Sequence, residues 1–541
     1  MRVSWTWLAA ASAVISAATG KEQLVLTPSG KLTVEPLNVA IVGAGAAGSS
    51  SAYHLSKFAA EAGLPVNITV FDRNPYIGGR STTVNVYDDP TLPVELGASI
   101  FVEINKILMN ATRDFNLSTD ALHANQNDIP GSSLSVWDGQ QLVVQQTSRS
   151  GWWEIFKLLW KYGMAPIKTI NLMKSTVGKF MDMYEEPVFP WSSLTQTVHD
   201  LDLLAATAAT GEQYMREHGI TGDFGHDIVQ ASTRVNYAQN LRYIHGLEAM
   251  VCMAADGAVA IEGGNWQIFD QMVAAANATR MLGTEVTSVK RQENSFVLDY
   301  CDATDESTLS TQAQHFDSVI LAGPYQFTNL TRTSPQDYTP DEIPYVELHV
   351  TLFTSPQLLS PTFFNLAPNQ PAPKVILTTL PPNEEPGHGP QSCGSPGFFS
   401  ISLLRRITNP QTQQREYLYK IFSPSPPTPT FLSHLLGLQI PKDIPIRAGL
   451  GEKDITWIYR KLWHSYPYED PRVTFDRMEL EEGLWYTGGM DAFISTMETN
   501  ALMGRNVAKL MVERWVERGA EEGFSRLGFE DEEGLMGGRG V

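Results

Sequence analysis

Apolar runs of strand length alternate with a helical pattern near the start of the chain. Residues 37–42, LNVAIV, form one such run, and a helical pattern follows from about residue 46 to residue 62. A second run, VNITVFD, occupies residues 66–72. A strand, a helix and a second strand within about 35 residues predict a βαβ unit. The turn between the first strand and the helix is rich in glycine.

Similar periodic stretches continue along the chain and predict a mixed α/β fold. The stretch LSVWDGQQLVV at 134–144 predicts a hairpin with Asp138-Gly139 in its turn. Helices are predicted at 151–184, at 264–281 and from about Ser495 to Arg514, and strands at 284–291, 296–302, 316–324 and 484–489. The proline-rich segments 360–390 and 423–445 predict loops and edge connections, and the glycine-rich, acidic residues 519–541 predict a disordered tail.

The composition is that of a globular protein and narrows the range of functions. Of the 541 residues, 43% are hydrophobic and 18% are charged, and the formal net charge is −20. Nucleic-acid binding favours a basic face, so an acidic chain argues against it. Cys252, Cys301 and Cys393 are the only cysteines, which gives neither a disulfide framework nor a CxxC redox pair. We therefore expect the fold to be stable through its core.

The first 20 residues predict a secretory signal peptide. Arg2 is their only charge, an apolar run follows, and small residues close the segment. A buried or membrane-spanning helix is the alternative, but the run is short and is interrupted by Ser and Thr. Because no later segment has about 18 uninterrupted apolar residues, we expect a soluble or peripheral protein. Five glycosylation sequons agree with the secretory route, at Asn67, Asn110, Asn116, Asn277 and Asn329.

The turn after the first strand matches the G-x-G-x-x-G dinucleotide-binding pattern. Gly43 allows a tight turn, Gly45 lets a pyrophosphate approach the backbone, and Gly48 lets helix and strand pack closely. The helix that follows supplies free N–H groups for the phosphates. Asp72 ends the second strand, at about the distance from the glycines where a ribose-binding acid is expected. An acid there favours NAD or FAD over NADP.

A second glycine turn distinguishes between these dinucleotides. The segment RNPYIGGRSTT at 73–83 places Gly79 before Arg80, whose guanidinium suits a phosphate. A plain NAD domain does not need this turn. The two glycine turns and the acid between them resemble those of the FAD-binding oxidoreductases of the glutathione-reductase-like superfamily, in the branch that contains amine oxidases and prenylcysteine oxidases. Asp72 stands where many relatives have Glu, which shortens the reach of the carboxylate.

The resemblance implies an α/β fold with a Rossmann-like FAD-binding domain and an inserted α+β substrate domain. The FAD-binding domain is expected in three layers, two of sheet and one of helix. Residues 37–110, 230–330 and 455–515 are assigned to this discontinuous domain, and residues 111–229 and 331–454 to the substrate domain. No second G-x-G-x-x-G follows, which argues against a separate NAD(P)H domain.

The resemblance also implies which residues hold FAD. VELGAS at 94–99 resembles the segment beside the flavin, TEVTSVKR at 284–291 the strand whose valine contacts adenine, and residues 484–511 the C-terminal FAD motif. Ser495-Thr-Met-Glu498 fits a capping box, so a helix is expected to begin there with its N–H groups towards the flavin. The implied cofactor-binding residues are Gly43, Gly45, Ala46, Ala47, Gly48, Asp72, Arg73, Gly79, Arg80, Gly97, Ala98, Ser99, Val286, Gly488, Gly489, Thr496 and Met497. No metal site is expected, and the absence of Cys and His from the C-terminal motif favours non-covalent FAD.

The middle of the chain resembles one family of this branch, the prenylcysteine oxidases. Residues 233–240 (TRVNYAQN), 246–272 (which include EGGN) and 463–471 (WHSYPYEDP) carry this resemblance. It implies an FAD-dependent thioether oxidase that converts farnesyl- or geranylgeranylcysteine and oxygen to cysteine, a prenyl aldehyde and hydrogen peroxide, by hydride transfer to flavin and addition of water. It also implies a secretory route to the lysosome or vacuole, or out of the cell. His464 is a candidate for guiding water, although a structural role is the expectation for it.

Two other functions fit the same sequence. One is an FAD oxidase acting on another lipophilic substrate in specialised metabolism, which the proline-rich segments motivate. The other is a non-catalytic, secreted lipid-binding relative. The aromatic stretch Trp152, Trp153, Phe156, Leu159 and Trp160 has helical spacing and suits a prenyl-chain tunnel, a membrane interface or ordinary core packing. Peripheral membrane contact and the oligomeric state stay open.

Overall fold

A six-stranded sheet lies at the centre of the computed structural model, which describes residues 24–26, 32–121, 129–146, 158–255, 257–303, 311–333, 338–441 and 454–526. In spatial order its strands are Thr279–Leu282, Val66–Asp72, Leu37–Val42, Ser318–Leu321, Leu484–Tyr486 and Glu479–Glu481. The first five run parallel, and the last pairs antiparallel with its neighbour. The predicted strands at 37–42 and 66–72, with a helix between them, are confirmed.

One face of this sheet is covered by three helices, Ala46–Glu61, Trp266–Ala275 and Met497–Arg526. The first and the last of these pack closely against each other. Ser50 Oγ donates a hydrogen bond to the Ala501 carbonyl at 2.6 Å. A Cβ placed on Gly504 would lie 2.3 Å from the Ala47 carbonyl oxygen. Small residues at this contact therefore set the short distance between the two helices.

A four-stranded sheet packs against the other face. In spatial order its strands are Gln312–Phe316, Ser295–Asp302, Thr284–Gln292 and Thr331–Thr333. Side chains of the central strand alternate between the two faces, as the pleat requires. Val39 and Ile41 belong to the core beneath the helices, whereas Ala40 belongs with Phe71 and Phe296 to the core between the sheets. The predicted three-layer arrangement is confirmed.

A seven-stranded sheet forms the framework of the second half of the molecule. In spatial order its strands are Trp457–Pro467, Tyr345–Ser355, Arg415–Ser423, Ser400–Thr408, Val375–Thr378, Leu134–Trp137 and Leu142–Gln146. The last two are the predicted hairpin. Asp138 Oδ1 closes its turn by accepting hydrogen bonds from the backbone N–H groups of Gln140 and Gln141, each at 2.7 Å.

A run of helices occupies residues 158–253. They include Ala165–Met181, Leu194–Asp200, Leu204–Ala208, Gly211–Glu217, Gln230–Tyr237 and Gly246–Met253, with a π-helical turn at Gly225–Val229. Further helices are Lys106–Asp114 and Pro429–Leu436, and short strands pair as Leu24–Leu26 with Leu32–Val34, Thr83–Asn85 with Pro93–Glu95, and Thr119–Ala121 with Val259–Ile261. Within the described ranges, no helix is long and apolar enough to cross a membrane.

Two predicted helices end at different residues in the structure. The helix predicted at 264–281 stops at Ala275, because Asn277 adopts a positive φ of 50° and the chain returns as the strand Thr279–Leu282. The C-terminal helix continues to Arg526, so the disorder predicted from residue 519 is wrong for residues 519–526. Glutamate and alanine are strong helix formers and carry the helix past the glycines there. The rest of the tail and the predicted signal peptide lie outside the described residues.

The proline-rich segments are more ordered than predicted. Segment 360–390 contains the strand Val375–Thr378, which lies inside the seven-stranded sheet, because its short apolar run outweighs the flanking prolines. Segment 423–445 contains the helix Pro429–Leu436. Thr428 Oγ1 caps this helix by accepting from the Phe431 N–H at 3.1 Å, and proline at the first helical position needs no hydrogen-bond partner.

The two halves divide at different residues from those predicted. The strand Trp457–Pro467 is an edge strand of the seven-stranded sheet, so it belongs with the inserted half although residues from 455 onwards were assigned to the FAD-binding domain. The helices Gln230–Tyr237 and Gly246–Met253 contact each other and further helices of the inserted half. The motifs locate the glycine turns, but they carry no information on which sheet a neighbouring strand joins.

Candidate active site

Four parallel strands of the central sheet end at the same edge. Leu37–Val42 leads into Gly43, Val66–Asp72 ends at the predicted ribose-binding acid, and Leu484–Tyr486 leads towards Gly488. Ser318–Leu321 lies between the first and the last of these. Ligands of open parallel sheets bind outside the carboxyl ends of the strands. The predicted cofactor-binding residues after each strand are thus brought together at this edge.

The three glycines of the first turn have different surroundings. Gly43 has a φ of +112°, and a Cβ there would lie 2.6 Å from the Ala322 carbonyl oxygen. A Cβ on Gly48 would lie only 1.9 Å from the Gly43 carbonyl oxygen. A Cβ on Gly45 would instead meet nothing closer than the Cα of Gly79, at 4.0 Å. The first and third glycines therefore permit packing, while the second leaves one side of the backbone open, and its contact with a pyrophosphate stays a prediction.

The second glycine turn rests on the first. The Gly78 N–H donates to the Ala44 carbonyl at 2.9 Å. Gly79 has a φ of +58°, and a Cβ there would lie 3.2 Å from the Cα of Gly45. The two turns thus form a narrow cradle of bare backbone in which a side chain would take the place of a ligand. This cradle fits the pyrophosphate of a dinucleotide, whose approach needs glycine on both sides.

Asp72 makes contacts that the sequence did not indicate. Its Oδ2 accepts from the Ala44 N–H at 2.8 Å, and its Oδ1 accepts from the backbone and side-chain nitrogens of Asn74 at 2.8 and 2.9 Å. The carboxylate therefore holds the first glycine turn in place, and its contact with a ribose stays a prediction. The strand that contains the buried Val286 is tied to the same segment, since the Gly283 N–H donates to the Asn74 carbonyl at 3.0 Å.

The two arginines near the cradle are both engaged with protein groups. Arg73 Nη1 donates to the Phe327 carbonyl at 3.0 Å. Arg80 Nη2 binds both carboxylate oxygens of Asp491, at 3.1 and 2.9 Å, and its Nη1 donates to the Ser465 carbonyl. The predicted phosphate contact of Arg80 stays a prediction. What the structure shows is a bridge from the second glycine turn to the C-terminal FAD motif and to the edge strand of the other sheet.

Asp491 is the residue in this site that sequence reasoning missed. Besides Arg80, its carboxylate accepts from the Tyr345 hydroxyl at 2.9 Å, Asn500 Nδ2 at 2.8 Å and Ser495 Oγ at 3.1 Å. It is almost fully buried. The signal for it was an acid between the double glycine and the C-terminal helix, in a segment otherwise apolar.

The C-terminal helix begins near the position predicted, but its cap differs. Thr496 Oγ1 accepts from the Thr499 N–H and Thr499 Oγ1 accepts from the Thr496 N–H, each at 3.1 Å, so these threonines form the reciprocal pair. The capping box predicted from Ser495 and Glu498 is wrong. Glu498 is buried and instead caps another helix, Lys106–Asp114, through the N–H groups at its start. Burial raises the pKa of Glu498 to about 7.

The remaining residues of the C-terminal motif lie close to the glycine turns. Ser81 Oγ, one residue beyond Arg80, contacts Met497 Sδ at 2.9 Å. A Cβ on Gly488 would lie 2.3 Å from the Tyr486 hydroxyl, and one on Gly489 would lie 3.1 Å from the Asp476 Cβ. Thr496 is partly exposed, whereas the residues after it are buried. The start of the helix therefore faces the same space as the cradle.

The segment VELGAS is held from both halves of the molecule. A Cβ on Gly97 would lie 2.0 Å from the Arg80 carbonyl oxygen, and the Ala98 N–H donates to that oxygen at 3.2 Å. Lys420, from the seven-stranded sheet, donates to Ser99 Oγ at 2.7 Å and to the Glu95 carbonyl at 2.9 Å. Burial lowers the pKa of Lys420 to about 8. This lysine is a second residue that the sequence did not reveal.

The motif EGGN supports the same segment. Asn265, its last residue, donates through its backbone N–H to Glu95 Oε1 at 2.6 Å and through Nδ2 to the Ala98 carbonyl at 3.1 Å. Its Oδ1 accepts from the Ile261 N–H at 2.9 Å. Asn265 thus holds the segment VELGAS in place, which is a structural role.

The motif TRVNYAQN has a structural role. Arg234 is fully buried and donates to Thr378 Oγ1 at 3.0 Å, to Asn240 Oδ1 at 2.8 Å, and to the carbonyls of Ser392 and Cys393 at 2.7 and 2.8 Å. Gln239 Nε2 donates to the Pro467 carbonyl at 3.0 Å. The motif therefore joins the proline-rich segment and the end of the edge strand to the helices.

The surroundings of His464 and of the aromatic stretch bear on the roles considered for them. His464 is exposed, and its ring stacks on Phe327 with the centroids 4.8 Å apart, which is a packing role. Trp160 is 83% exposed, which contradicts core packing and an enclosed tunnel for this residue. Trp152, Trp153 and Phe156 lie outside the described residues.

The sequon asparagines, the cysteines and the possible metal ligands are the remaining candidate groups. The five sequon asparagines are all exposed: Asn67, Asn110, Asn116, Asn277 and Asn329. The three cysteines are unpaired. Among the residues that the structure describes, no group of His, Cys, Asp and Glu side chains is arranged to hold a metal ion.

Comparison with solved structures supports the same architecture. A putrescine oxidase structure is similar over 89% of this chain and 100% of its own, with a TM-score of 0.54 and 13% identity. Cyclohexylamine oxidase from Brevibacterium oxydans covers the same shares, with a TM-score of 0.52 and 15% identity. A sequence profile described as an NAD(P)-binding Rossmann-like domain matches residues 41–115. Fold and site together define a protein with a Rossmann-like dinucleotide-binding half.

Sequence comparison identifies the family within this class. The profile described as prenylcysteine lyase matches residues 145–522, well over half of the protein. The chain therefore belongs to the prenylcysteine lyase family. A farnesylcysteine lyase of Arabidopsis thaliana is 26% identical over 504 residues, covering 89% of each chain. Prenylcysteine oxidase 1 of Mus musculus is 25% identical over 505 residues, covering 89% of this chain and 90% of the relative.

Proposed function

We propose that this protein is an FAD-dependent thioether oxidase. Its substrate is farnesyl- or geranylgeranylcysteine, and its products are cysteine, a prenyl aldehyde and hydrogen peroxide. Membership of the prenylcysteine lyase family over residues 145–522 is the observation that carries the proposal. The relatives that align over most of the chain are named for the same substrate class.

The chemistry requires positioning more than a strong side-chain base. FAD, when bound, accepts hydride from the C–H group beside the sulfur and the alkene. Sulfur and alkene stabilise positive charge on the oxidised carbon, so hydride leaves it more easily, and water then adds to this carbon. Gly45 and Gly79 expose the backbone on which the pyrophosphate would rest. The helix that begins at Met497 directs its positive end into the same space, which favours negative charge there.

Anaerobic addition of farnesylcysteine tests the proposal. We expect the purified holoenzyme to be yellow, the flavin absorbance to bleach on addition of substrate, and oxygen to restore it with release of one peroxide per turnover. An amine and an alcohol with the same prenyl chain serve as matched controls and should not bleach the flavin. Bleaching by one of these and not by the thioether would instead support the oxidase of another lipophilic substrate. A protein that none of them bleaches would support the lipid-binding alternative.

We also propose that one helical surface contacts an anionic membrane. Trp160, Met164, Ile167 and Ile170 are 83%, 58%, 40% and 46% exposed. Trp160 lies on a helical turn that ends at Gly163, whose φ is +59°, and the other three lie at the start of the helix Ala165–Met181 or within it. Residues 155–181 contain five lysines and no acid, in a chain whose net charge is −20. An apolar stripe flanked by lysine suits a surface of anionic lipid, and the opposite side of the helix Ala165–Met181 is buried in the protein. A prenylated substrate would partition into the same layer.

Replacing Trp160 and Ile167 by serine is expected to release the protein from vesicles containing phosphatidylserine. Burial of each large apolar side chain contributes about 1.5–3 kcal/mol, so the double variant should bind at least about tenfold more weakly in co-sedimentation. Val516→Ser removes a similarly exposed apolar residue from the C-terminal helix and should bind like the wild type. Equal binding of the double variant and the wild type would exclude this surface as the contact.

We propose, finally, a secretory destination for the protein, the lysosome or vacuole or the cell exterior. The apolar segment at residues 1–20 supports this route. The exposure of all five sequon asparagines is compatible with glycosylation on the way. A thioether released when prenylated proteins are degraded would be met in such a compartment.

A further inference from the structure

Three titratable side chains form a fully buried cluster that the proposed chemistry does not use. Glu248 lies on the helix Gly246–Met253, His245 is the residue that caps this helix, and Glu469 follows the strand Trp457–Pro467. All three side chains are inaccessible to solvent. His245 N–H donates to the Glu469 carbonyl at 2.7 Å, which ties the two segments together. We call these residues the buried diacid cluster.

Most polar atoms of the cluster lack hydrogen-bond partners. Both carboxyl oxygens of Glu469 and the Nε2 of His245 are buried and unsatisfied, while the buried Glu248 carboxyl faces the Tyr237 hydroxyl as a hydrogen-bond partner. A buried, unpaired carboxylate is costly, so each carboxyl group retains its proton to a higher pH than in water. Burial raises the pKa of Glu248 to about 8, and burial together with the nearby Glu248 raises that of Glu469. The pair thus carries protons at neutral pH.

The histidine is neutral and aimed at the acids. His245 Nδ1 accepts the Glu248 N–H at 3.1 Å, so the ring proton resides on Nε2. Nε2 lies 3.7 Å from Glu469 Oε2, a separation that a direct hydrogen bond does not span. Burial, and then Arg472, lower the pKa of His245 to about 3, which keeps the ring uncharged. A neutral donor thus points into a pair of protonated acids.

The cluster lies next to the candidate active site. The Tyr237 hydroxyl influences the pKa of Glu248 and donates to the Ser495 carbonyl at 3.3 Å, at the start of the C-terminal helix. Ser495 Oγ donates in turn to Asp491, the partner of Arg80. The titratable or charged groups that face the cluster are Tyr237, Cys252, Asp470, Arg472, Asp491 and Arg80.

We propose that Glu248 and Glu469 hold one exchangeable proton for the reaction at the adjacent site. The proposal rests on the proposed function. In that reaction the C–H and C–S bonds of the thioether break, C=O and S–H bonds form, and dioxygen is reduced by two electrons to hydrogen peroxide. Addition of water to the oxidised carbon releases one proton, and collapse of the thiohemiacetal moves its hydroxyl proton to sulfur. Formation of peroxide from dioxygen and the hydride equivalent consumes one proton.

The buried diacid cluster serves the second of these steps. The Glu248 O–H donates the proton that peroxide formation consumes and becomes a carboxylate. A proton taken up from solvent restores the acid before the next turnover, and it replaces the proton that water addition released to solvent. Tyr237 lies between Glu248 and Ser495, so Glu248 and Glu469 are proton-holding residues that do not touch the reacting atoms. The number of protons and the total charge are both balanced over a complete cycle.

Infrared spectroscopy of the resting holoenzyme tests the proton directly and needs no substrate. At pH 7 we expect C=O stretching bands of protonated carboxyl groups, one of which is lost in Glu248→Gln and another in Glu469→Gln. Glu416→Gln is the matched control, since Glu416 is equally buried but already accepts hydrogen bonds from Thr456 and Asn409. Its substitution should leave both bands in place. Persistence of both bands in the two cluster variants would overturn the proposal, whatever the substrate proves to be.

The melting temperature and the reoxidation rate of Glu248→Gln provide two further tests. Because the pKa of folded Glu248 is raised from 4.5 to about 8, its contribution to stability is fully present below pH 4.5 and is lost as the pH rises through about 8. Glu248→Gln should therefore flatten the pH dependence of the melting temperature over this range. Its reoxidation by oxygen should be at least about tenfold slower than that of the wild type and less dependent on pH. Unchanged reoxidation kinetics would assign the cluster a structural role only.

Discussion

Replacing Gly48 by alanine is expected to yield a protein that retains less than about a tenth of the wild-type FAD. The added Cβ would lie 1.9 Å from the carbonyl oxygen of Gly43 and 3.0 Å from its carbonyl carbon. Both atoms are backbone, so no side-chain rotation relieves the contact. The helix Ala46–Glu61 must move away from the strand before it, and its N–H groups then no longer meet the pyrophosphate. Overpacking of this kind costs about 1–3 kcal/mol in stability, in addition to the lost cofactor.

Two other glycine substitutions separate packing from ligand contact. A Cβ on Gly45 has no atom nearer than 4.0 Å, so Gly45→Ala should fold normally yet bind FAD more weakly, because the methyl group occupies the open side of the cradle. Gly178 lies in the helix Ala165–Met181 with nothing within 4 Å, and alanine there should stabilise by up to about 1 kcal/mol. The ratio of flavin to protein absorbance and the melting temperature are the measurements. Wild-type flavin content in Gly48→Ala would contradict the role given to this turn.

The elements that the sequence predicted correctly are those decided by neighbouring residues. The strands Leu37–Val42 and Val66–Asp72 follow from short apolar runs rich in β-branched residues. The turn after the first strand follows from glycines at positions where a side chain would collide with the backbone. The hairpin at 134–144 follows from the turn residues Asp138-Gly139, which lie between two β-rich segments. Local patterns of this kind need no knowledge of the remaining chain.

The site contacts that the sequence did not predict all join residues that are distant in the chain. Arg80 pairs with Asp491, and Lys420 of the seven-stranded sheet donates to Ser99. Glu498 fits a local capping pattern but serves a helix that begins at Lys106. A capping motif states which groups are able to pair, and the packing of two helices decides which of them do. Asp72 likewise satisfied the spacing of a ribose-binding acid while its oxygens hold the glycine turn.

Truncating Arg234 to methionine is expected to cause the largest loss of stability among substitutions outside the cradle. The guanidinium is fully buried and fixes four acceptors, two of them the carbonyls of Ser392 and Cys393, just after the proline-rich segment 360–390. Methionine fills part of the volume but donates nothing, so the Cys393 carbonyl and Asn240 Oδ1 lose this donor, at about 1–3 kcal/mol each before relaxation, while the Ser392 carbonyl keeps Asn240 Nδ2 as a donor at 2.9 Å. We expect a total loss of about 3–5 kcal/mol in the free energy of unfolding of this half, measured by urea denaturation.

The exposed Arg242 provides the control for Arg234. Its Nη1 contacts Glu385 at 2.6 Å, and both side chains are more than half exposed. Exposed ion pairs contribute about 0–1 kcal/mol, so Arg242→Met should unfold at nearly the wild-type urea concentration. Arg234→Lys keeps the charge but has fewer donors and no planar fork, and should fall between the two. If Arg234→Met were no less stable than Arg242→Met, the motif TRVNYAQN would have to act through chemistry and not through the fold. The buried hydrogen bonds of Arg234 argue for the fold.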